Sequence, residues 1–188
     1  MDDTKELQAT TKFRLNVGCG EYPMRFWMNL DAQPECPAQI HAVVPPIPYE
    51  DESLLEIYAG HFLEHLTQED GRAFLSECFR CLKPGGKLGI VVPDTREVMR
   101  RYLEGAIDAV EYPCSTWWPV ADLDAVCTMF LYSSVQESPH QWSYDMDSLS
   151  RAMAGAGFRN LQEIDRYRDP RIPRGAWYQC GINGYKEA

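Results

Sequence analysis

The segment 87–92 (Lys-Leu-Gly-Ile-Val-Val) has no polar face: after Lys87 every position is apolar or glycine, and Pro93 closes it. A strand that is wet on one side alternates polar and apolar residues, so a strand apolar on both sides has to be covered on both sides. The neighbouring segments supply the rest of such a sheet. Residues 13–17 (FRLNV), 28–31 (MNLD), 40–44 (IHAVV) and 55–60 (LEIYAG) read as short strands, the first running into Gly18-Cys19-Gly20 and the third stopped by Pro45 and Pro46. A helix is predicted over 68–82, with Thr67 as N-cap, Glu69 and Asp70 in the first turn, Phe74, Leu75, Cys78 and Leu82 on one face, and Lys83-Pro84-Gly85-Gly86 as its stop.

Further along, helices are predicted over 96–104, 120–132 and 143–156, the last ending at Gly157, and strands over 159–165 and 177–185. Strands separated by helices make a mostly parallel sheet with right-handed crossovers, and two closing strands joined by a loop make the last one antiparallel. The fold class is therefore α/β: a doubly wound, mostly parallel sheet of about seven strands, with an antiparallel last strand and a helical insert after the fifth. Residues 13–188 form one domain in this reading, preceded by a flexible segment 1–12. The strand-free stretch 95–141 is expected to lie over the carboxyl edge as a substrate-side insert.

Charge narrows the partners. With 18 basic and 28 acidic residues the chain carries a formal charge of -10, which repels a phosphate backbone and admits a cationic ligand, so no nucleic acid is expected. No apolar run is long enough to span a bilayer and residues 1–12 are polar, from which a protein of the cytoplasm with no membrane partner is expected. The odd set of seven cysteines fits free thiols in a reducing compartment. Cys78 and Cys81 form a CxxC, but on the apolar face of a helix and with no second pair, so they read as buried thiols and no metal site is expected.

The chemistry begins at Gly18-Cys19-Gly20. A strand ending in Gly-x-Gly lets main chain turn sharply and come close to a ligand, and an acid at the tip of the next strand, Asp31, can accept hydrogen bonds from both hydroxyls of a ribose. Glycine pairs also occur in ordinary turns. A dinucleotide fingerprint would want a third glycine at position 23, which is Pro, and an acid about 20 residues on, whereas Asp31 follows Gly18 by thirteen. A nicotinamide-dependent oxidoreductase thus rests on Gly-x-Gly alone.

The run LNVGCGEYPMRFWMNLD resembles the first cofactor motif of class I S-adenosylmethionine-dependent methyltransferases, in the small methyltransferase type 11-like branch written LNLGCG, then a Trp and N-x-D. IPYEDESLLEIYAGHFLEHL is similar to that branch's segment ending in LEH, FLSECFRCLKPGGKLGIVVPD to its helix, Lys-Pro-Gly-Gly turn and fifth strand, and PHQWSYDMDSLSRAMAGAGF to its helix leading to Ala-Gly-Phe. The four segments keep their order over 13–165. The resemblance implies S-adenosylmethionine as cofactor, with Asn16, Gly18, Cys19 and Gly20 beside the methionine portion, Asp31 and Ala32 at the ribose, Val43 against the adenine, and Gly60 and His61 at the amino group. Two departures stand out: Ala42 where the branch usually has Asp, and Leu55-Glu56 in place of an apolar-Asp pair.

Methyl transfer from a sulfonium is an in-line displacement in which the protein chiefly aligns the partners, and a base is needed only for a protonated acceptor. Candidate catalytic residues are His61, His65 and His140, with Glu64 beside them; the alternative is that Glu64 and His65 merely begin the next helix. Trp117 and Trp142 can wall an acceptor or simply belong to the core. Arg168 and Arg171 lie among four arginines between 166 and 174, which can hold a phosphate or carboxylate or be a solvated turn. The expected partner is a small-molecule acceptor, a sugar or nucleotide-sugar by analogy with related short branches. The other reading is a cofactor-binding protein without turnover, a sensor or a partner subunit.

Overall fold

The structure is a computed structural model and describes residues 11–106, 139–165 and 177–187. Seven strands form one sheet: β1 (Arg14–Val17), β2 (Met28–Asp31), β3 (Ile40–His41), β4 (Leu54–Gly60), β5 (Leu82–Pro93), β6 (Arg159–Glu163) and β7 (Gln179–Tyr185). Their order is β3-β2-β1-β4-β5-β7-β6. Pairing is parallel from β3 through β5, and β7 runs antiparallel to both β5 and β6. This is the predicted doubly wound sheet with its reversed closing strand.

Three α-helices are described: α1 (Gln68–Cys81), α2 (Thr95–Leu103) and α3 (Met146–Gly155). Helix α1 starts as predicted, Thr67 Oγ1 accepting from the Asp70 N–H at 3.1 Å, and buries Phe74, Leu75, Cys78 and Cys81. Helix α3 starts three residues later than predicted, at Met146 instead of position 143. Two local interactions decide this. Tyr144 stays extended in a parallel bridge with Asp94, and Asp145 closes a reciprocal capping box with Ser148.

Strand bounds also shift from the sequence reading, most at β3 and β5. β3 ends at His41 rather than 44, the Ala42 N–H making a last bond to the Asp31 carbonyl (3.1 Å) before the prolines turn the chain away. β5 begins at Leu82, because Leu82 already pairs with Leu54 and the Gly85 N–H reaches the Lys186 carbonyl at 2.7 Å. Cys78 and Cys81 are buried free thiols, and Cys19, Cys36 and Cys180 are free and buried as well. The predicted helix 120–132 and positions 1–10 of the segment 1–12 lie outside the described residues, while Thr11 and Lys12 belong to a 3₁₀ turn, Thr11–Phe13.

The core is continuous. Leu15, Ile57, Leu88 and Ile90 from the sheet meet Phe74, Leu75, Leu149 and Met153 from the helices, all at most 1 % exposed. Large-to-small changes at such sites cost about 2–5 kcal/mol, and this burial fixes the register that aligns the strand ends. No described helix is long and apolar enough to cross a membrane.

Candidate active site

The sheet order reverses direction between β1 and β4, and in open α/β sheets a crevice forms outside the carboxyl ends of the strands at that point. The Gly18-Cys19-Gly20 turn leaves β1 there. Gly18 and Gly20 both hold positive φ (65° and 51°), which only glycine adopts without strain. Their two faces differ. A Cβ on Gly18 would lie 2.4 Å from the Phe62 ring, so that glycine makes room for protein, whereas a Cβ on Gly20 would meet nothing within 4 Å. The space beside Gly18 is thus taken by the Phe62 ring, and the space beside Gly20 is open.

Asp31 ends β2 beside this turn. Its Oδ2 accepts from the Gly20 N–H at 2.8 Å and its Oδ1 from the Gln33 N–H at 3.0 Å. The carboxylate is thereby fixed between two loop amides, each oxygen keeping a lone pair for a further donor. Ala32 and Val43 are exposed on the adjoining loops, Val43 to 78 %, large for an isolated valine. Asn16 is fully buried and donates to Asn29 Oδ1 at 2.9 Å, while its own Oδ1 has no partner among the described residues. Cys19 is buried too, its Sγ 3.5 Å from the Gly20 carbonyl.

At the end of β4, Gly60 leads to His61, a non-glycine residue at φ 49°. Such a conformation costs of order 1 kcal/mol or more and persists where the surroundings enforce it. Here the His61 N–H donates to the Val91 carbonyl (2.8 Å), ring Nδ1 lies 3.2 Å from Glu64 Oε1, and Nε2 lies 3.0 Å from Gln179 Oε1. Both ring nitrogens are engaged inside the protein.

Residues Leu63–His65 make a 3₁₀ turn separate from α1, so Glu64 and His65 do not begin the following helix. Glu64 is 2 % exposed. Burial by itself raises its carboxyl pKa, but the hydrogen bond from His61 and the positive potential of His61, His65 and His140 outweigh it and hold the group at about 2. His140 arrives from far along the chain because the Gln141 and Trp142 N–H groups donate to the Glu64 carbonyl (2.8 and 3.1 Å) and Gln141 Nε2 donates to the His65 carbonyl at 2.7 Å. The His65 and His140 rings then stand edge to face, 4.9 Å between centroids.

Trp142 lines a groove of about 550 Å³ between α1 and α3, together with Arg72, Tyr144 and Arg151. Trp117, Arg168 and Arg171 lie outside the described residues. Glu64 is a buried carboxylate facing His61, His65 and His140, a setting that its place next to His65 in the sequence does not reveal. The departure at Glu56 has a local cause: in register it faces Arg14 on β1 and Lys87 on β5 and pairs with both.

An adenosine-bearing sulfonium fits what is present: open space against Gly20, a fixed carboxylate at Asp31, and an exposed apolar residue at Val43. The comparisons with known proteins agree. Residues 24–90 match the family described as a methyltransferase domain. No curated protein matches the chain by sequence. Among solved structures, a S-adenosylmethionine-dependent methyltransferase from Thermotoga maritima is 13% identical with a TM-score of 0.55, over 96% of this chain and 88% of that one. One from Methanosarcina mazei is 13% identical with a TM-score of 0.58, over 100% and 98%. A chain of the Haloferax volcanii complex between the Trm112 methyltransferase activator and a methyltransferase is 13% identical with a TM-score of 0.58, over 98% and 89%. The solved structures share the fold, and the match to the methyltransferase domain family runs through β2 and into β5 of it.

Proposed function

We propose that the chain methylates a small acceptor, a sugar or nucleotide-sugar, in the cytoplasm, with the cofactor held at the Gly20–Asp31 corner and the acceptor facing His65 and His140. The observation that carries the cofactor part is the Asp31 carboxylate bridging the Gly20 and Gln33 amides at the sheet's reversal point. Both oxygens are pre-aimed there, which lowers the entropy lost when ribose hydroxyls bind.

In this reading Asn16, Gly18 and Cys19 shape the wall beside the methionine portion, Ala32 and Val43 flank ribose and adenine, and Gly60 offers its carbonyl to the amino group. Bound S-adenosylmethionine supplies a methyl group already activated on a sulfonium. The chain's own residues align and exclude water. His61 acts as a positioning residue, locking Glu64 from behind, since both its ring nitrogens are taken. A hydroxyl acceptor gives its proton to an imidazole of His65 or His140, stabilised as a cation by the Glu64 carboxylate.

The acceptor class rests on the resemblance of the motifs to short branches of the family and on Trp117, Trp142, Arg168 and Arg171 as candidate contacts. The free cysteines support a reducing compartment. Release of S-adenosylhomocysteine across a panel of sugars, nucleotide-sugars, amines and thiols tests the proposal. Turnover confined to amines or thiols would refute the acceptor, and tight cofactor binding without turnover on any member would favour a sensor or partner subunit.

A further inference from the structure

Glu64, His65 and His140 each offer one ligand atom, and these three atoms lie within 4.8 Å of one another. Glu64 is 2 % exposed, one of its oxygens is occupied by His61, and the other, Oε2, has no hydrogen-bond partner among the described residues. A carboxylate oxygen buried without a donor is costly, and that cost persists in a native structure only where something else meets it. The other two members of the cluster, His65 and His140, are imidazoles standing edge to face. From these observations we infer that Glu64, His65 and His140 form a binding site for a divalent transition metal ion of the Zn²⁺ type.

Ligand chemistry selects the ion. Two nitrogens and one oxygen suit Zn²⁺ and its first-row neighbours, while Mg²⁺ and Ca²⁺ want oxygen sets. Tetrahedral ligation at about 2.0–2.2 Å needs ligand atoms about 3.3–3.5 Å apart, so the two rings close by roughly an ångström, within reach of side-chain rotation. The support for the ligands is already built. His61 and, behind it, Gln179 hold the Glu64 carboxylate, and the Gln141 side chain together with the Gln141 and Trp142 amides clamps the His140 segment onto the Leu63–His65 turn. Three protein ligands leave a fourth position for water or an acceptor heteroatom. Metal binding itself does not depend on the acceptor proposed above; with the ion bound both imidazoles are ligands, so the proton-accepting role given to them above belongs to the metal-free chain.

Titration of the full chain, stripped with chelator, with Co²⁺ alone tests the site. One Co²⁺ per chain is expected, with visible d–d bands of a four- or five-coordinate site that Zn²⁺ abolishes by displacement. His140→Ala and His65→Ala should each weaken Co²⁺ at least tenfold, and His41→Ala, outside the cluster, should leave it unchanged. Glu64→Gln belongs in the set, but as Glu64 is buried the two histidine variants carry the test, with near-native circular dichroism as the check on folding. Absence of stoichiometric Co²⁺ binding, or binding unaltered in both histidine variants, overturns the inference. Methyl transfer that survives chelation while Co²⁺ binds as expected would leave the metal site standing and remove it from the reaction.

Discussion

At Gly18 an added Cβ would lie 2.4 Å from the Phe62 ring, and at Gly20 it would meet nothing within 4 Å, although both residues hold positive φ. Gly18→Ala therefore combines left-handed strain with overpacking and should cost about 2–4 kcal/mol, while Gly20→Ala carries the strain alone, about 1–2 kcal/mol. Urea denaturation midpoints check the order of the two, and the reverse order would mean Phe62 is not seated against the turn. Asp31→Ala should weaken S-adenosylmethionine binding by about 1.5–3 kcal/mol through lost charge-assisted hydrogen bonds, read by calorimetric titration. An unchanged dissociation constant would move the ribose elsewhere. The glycines and Asp31 were legible in the sequence because backbone freedom and a strand-end acid are local properties. The division of labour between the glycines was not, because Phe62 lies far beyond any local window, as does the orphaned oxygen of Glu64.

Asp145 caps a helix that starts three residues later than periodicity indicates, and the cap does more than end the helix. Periodicity pointed to position 143, whereas the side-chain oxygens of Asp145 accept from the Ser148 N–H at 2.7 Å and from Arg96 of α2 at 2.7 Å, tying two helices together. Burial raises the Asp145 carboxyl pKa, and the hydrogen bonds from Ser148 and Arg96 more than offset this, leaving it at about 2 against an ordinary 3.8. A carboxylate depressed in the fold adds stability above its unfolded pKa and loses it as pH falls through the folded value. Stability should thus decline between about pH 4 and pH 2, and Asp145→Asn, which keeps a capping oxygen but loses the charge facing Arg96, should flatten that part of the curve while lowering stability at pH 7 by about 0.5–1 kcal/mol. Thermal melts over that pH range measure both. On β4, Glu56→Gln should cost about 0.5–1 kcal/mol by breaking the row with Arg14 and Lys87, a pairing that sequence order hides because the three residues meet only in the sheet.

The whole chain should respond to its cofactor as a unit, since the residues that meet at the carboxyl edge come from β1, β2, β4 and the segment before α3. S-adenosylmethionine at one hundred times its dissociation constant should add about 2.7 kcal/mol of stability and raise Tm by about 5–10 °C, whereas a nicotinamide dinucleotide should leave Tm where it was. Differential scanning fluorimetry with both molecules distinguishes them. The alternation of strands and helices made the sheet readable at this level, down to the reversed strand near 179, because burial on two faces imposes an apolar pattern that needs no partner to be seen. The meeting of His65 with His140 was not readable, since 74 residues separate them and the bonds from Gln141 and Trp142 to the Glu64 and His65 carbonyls form only in the fold. The wedge of β7 between β5 and β6 carries its own consequence for synthesis. Until residues 179–185 emerge from the ribosome, the apolar β5 presents a bare edge and β6 has no neighbour, so a growing chain is exposed to sticking to others from the emergence of β5 until that of β7, and closes that seam late.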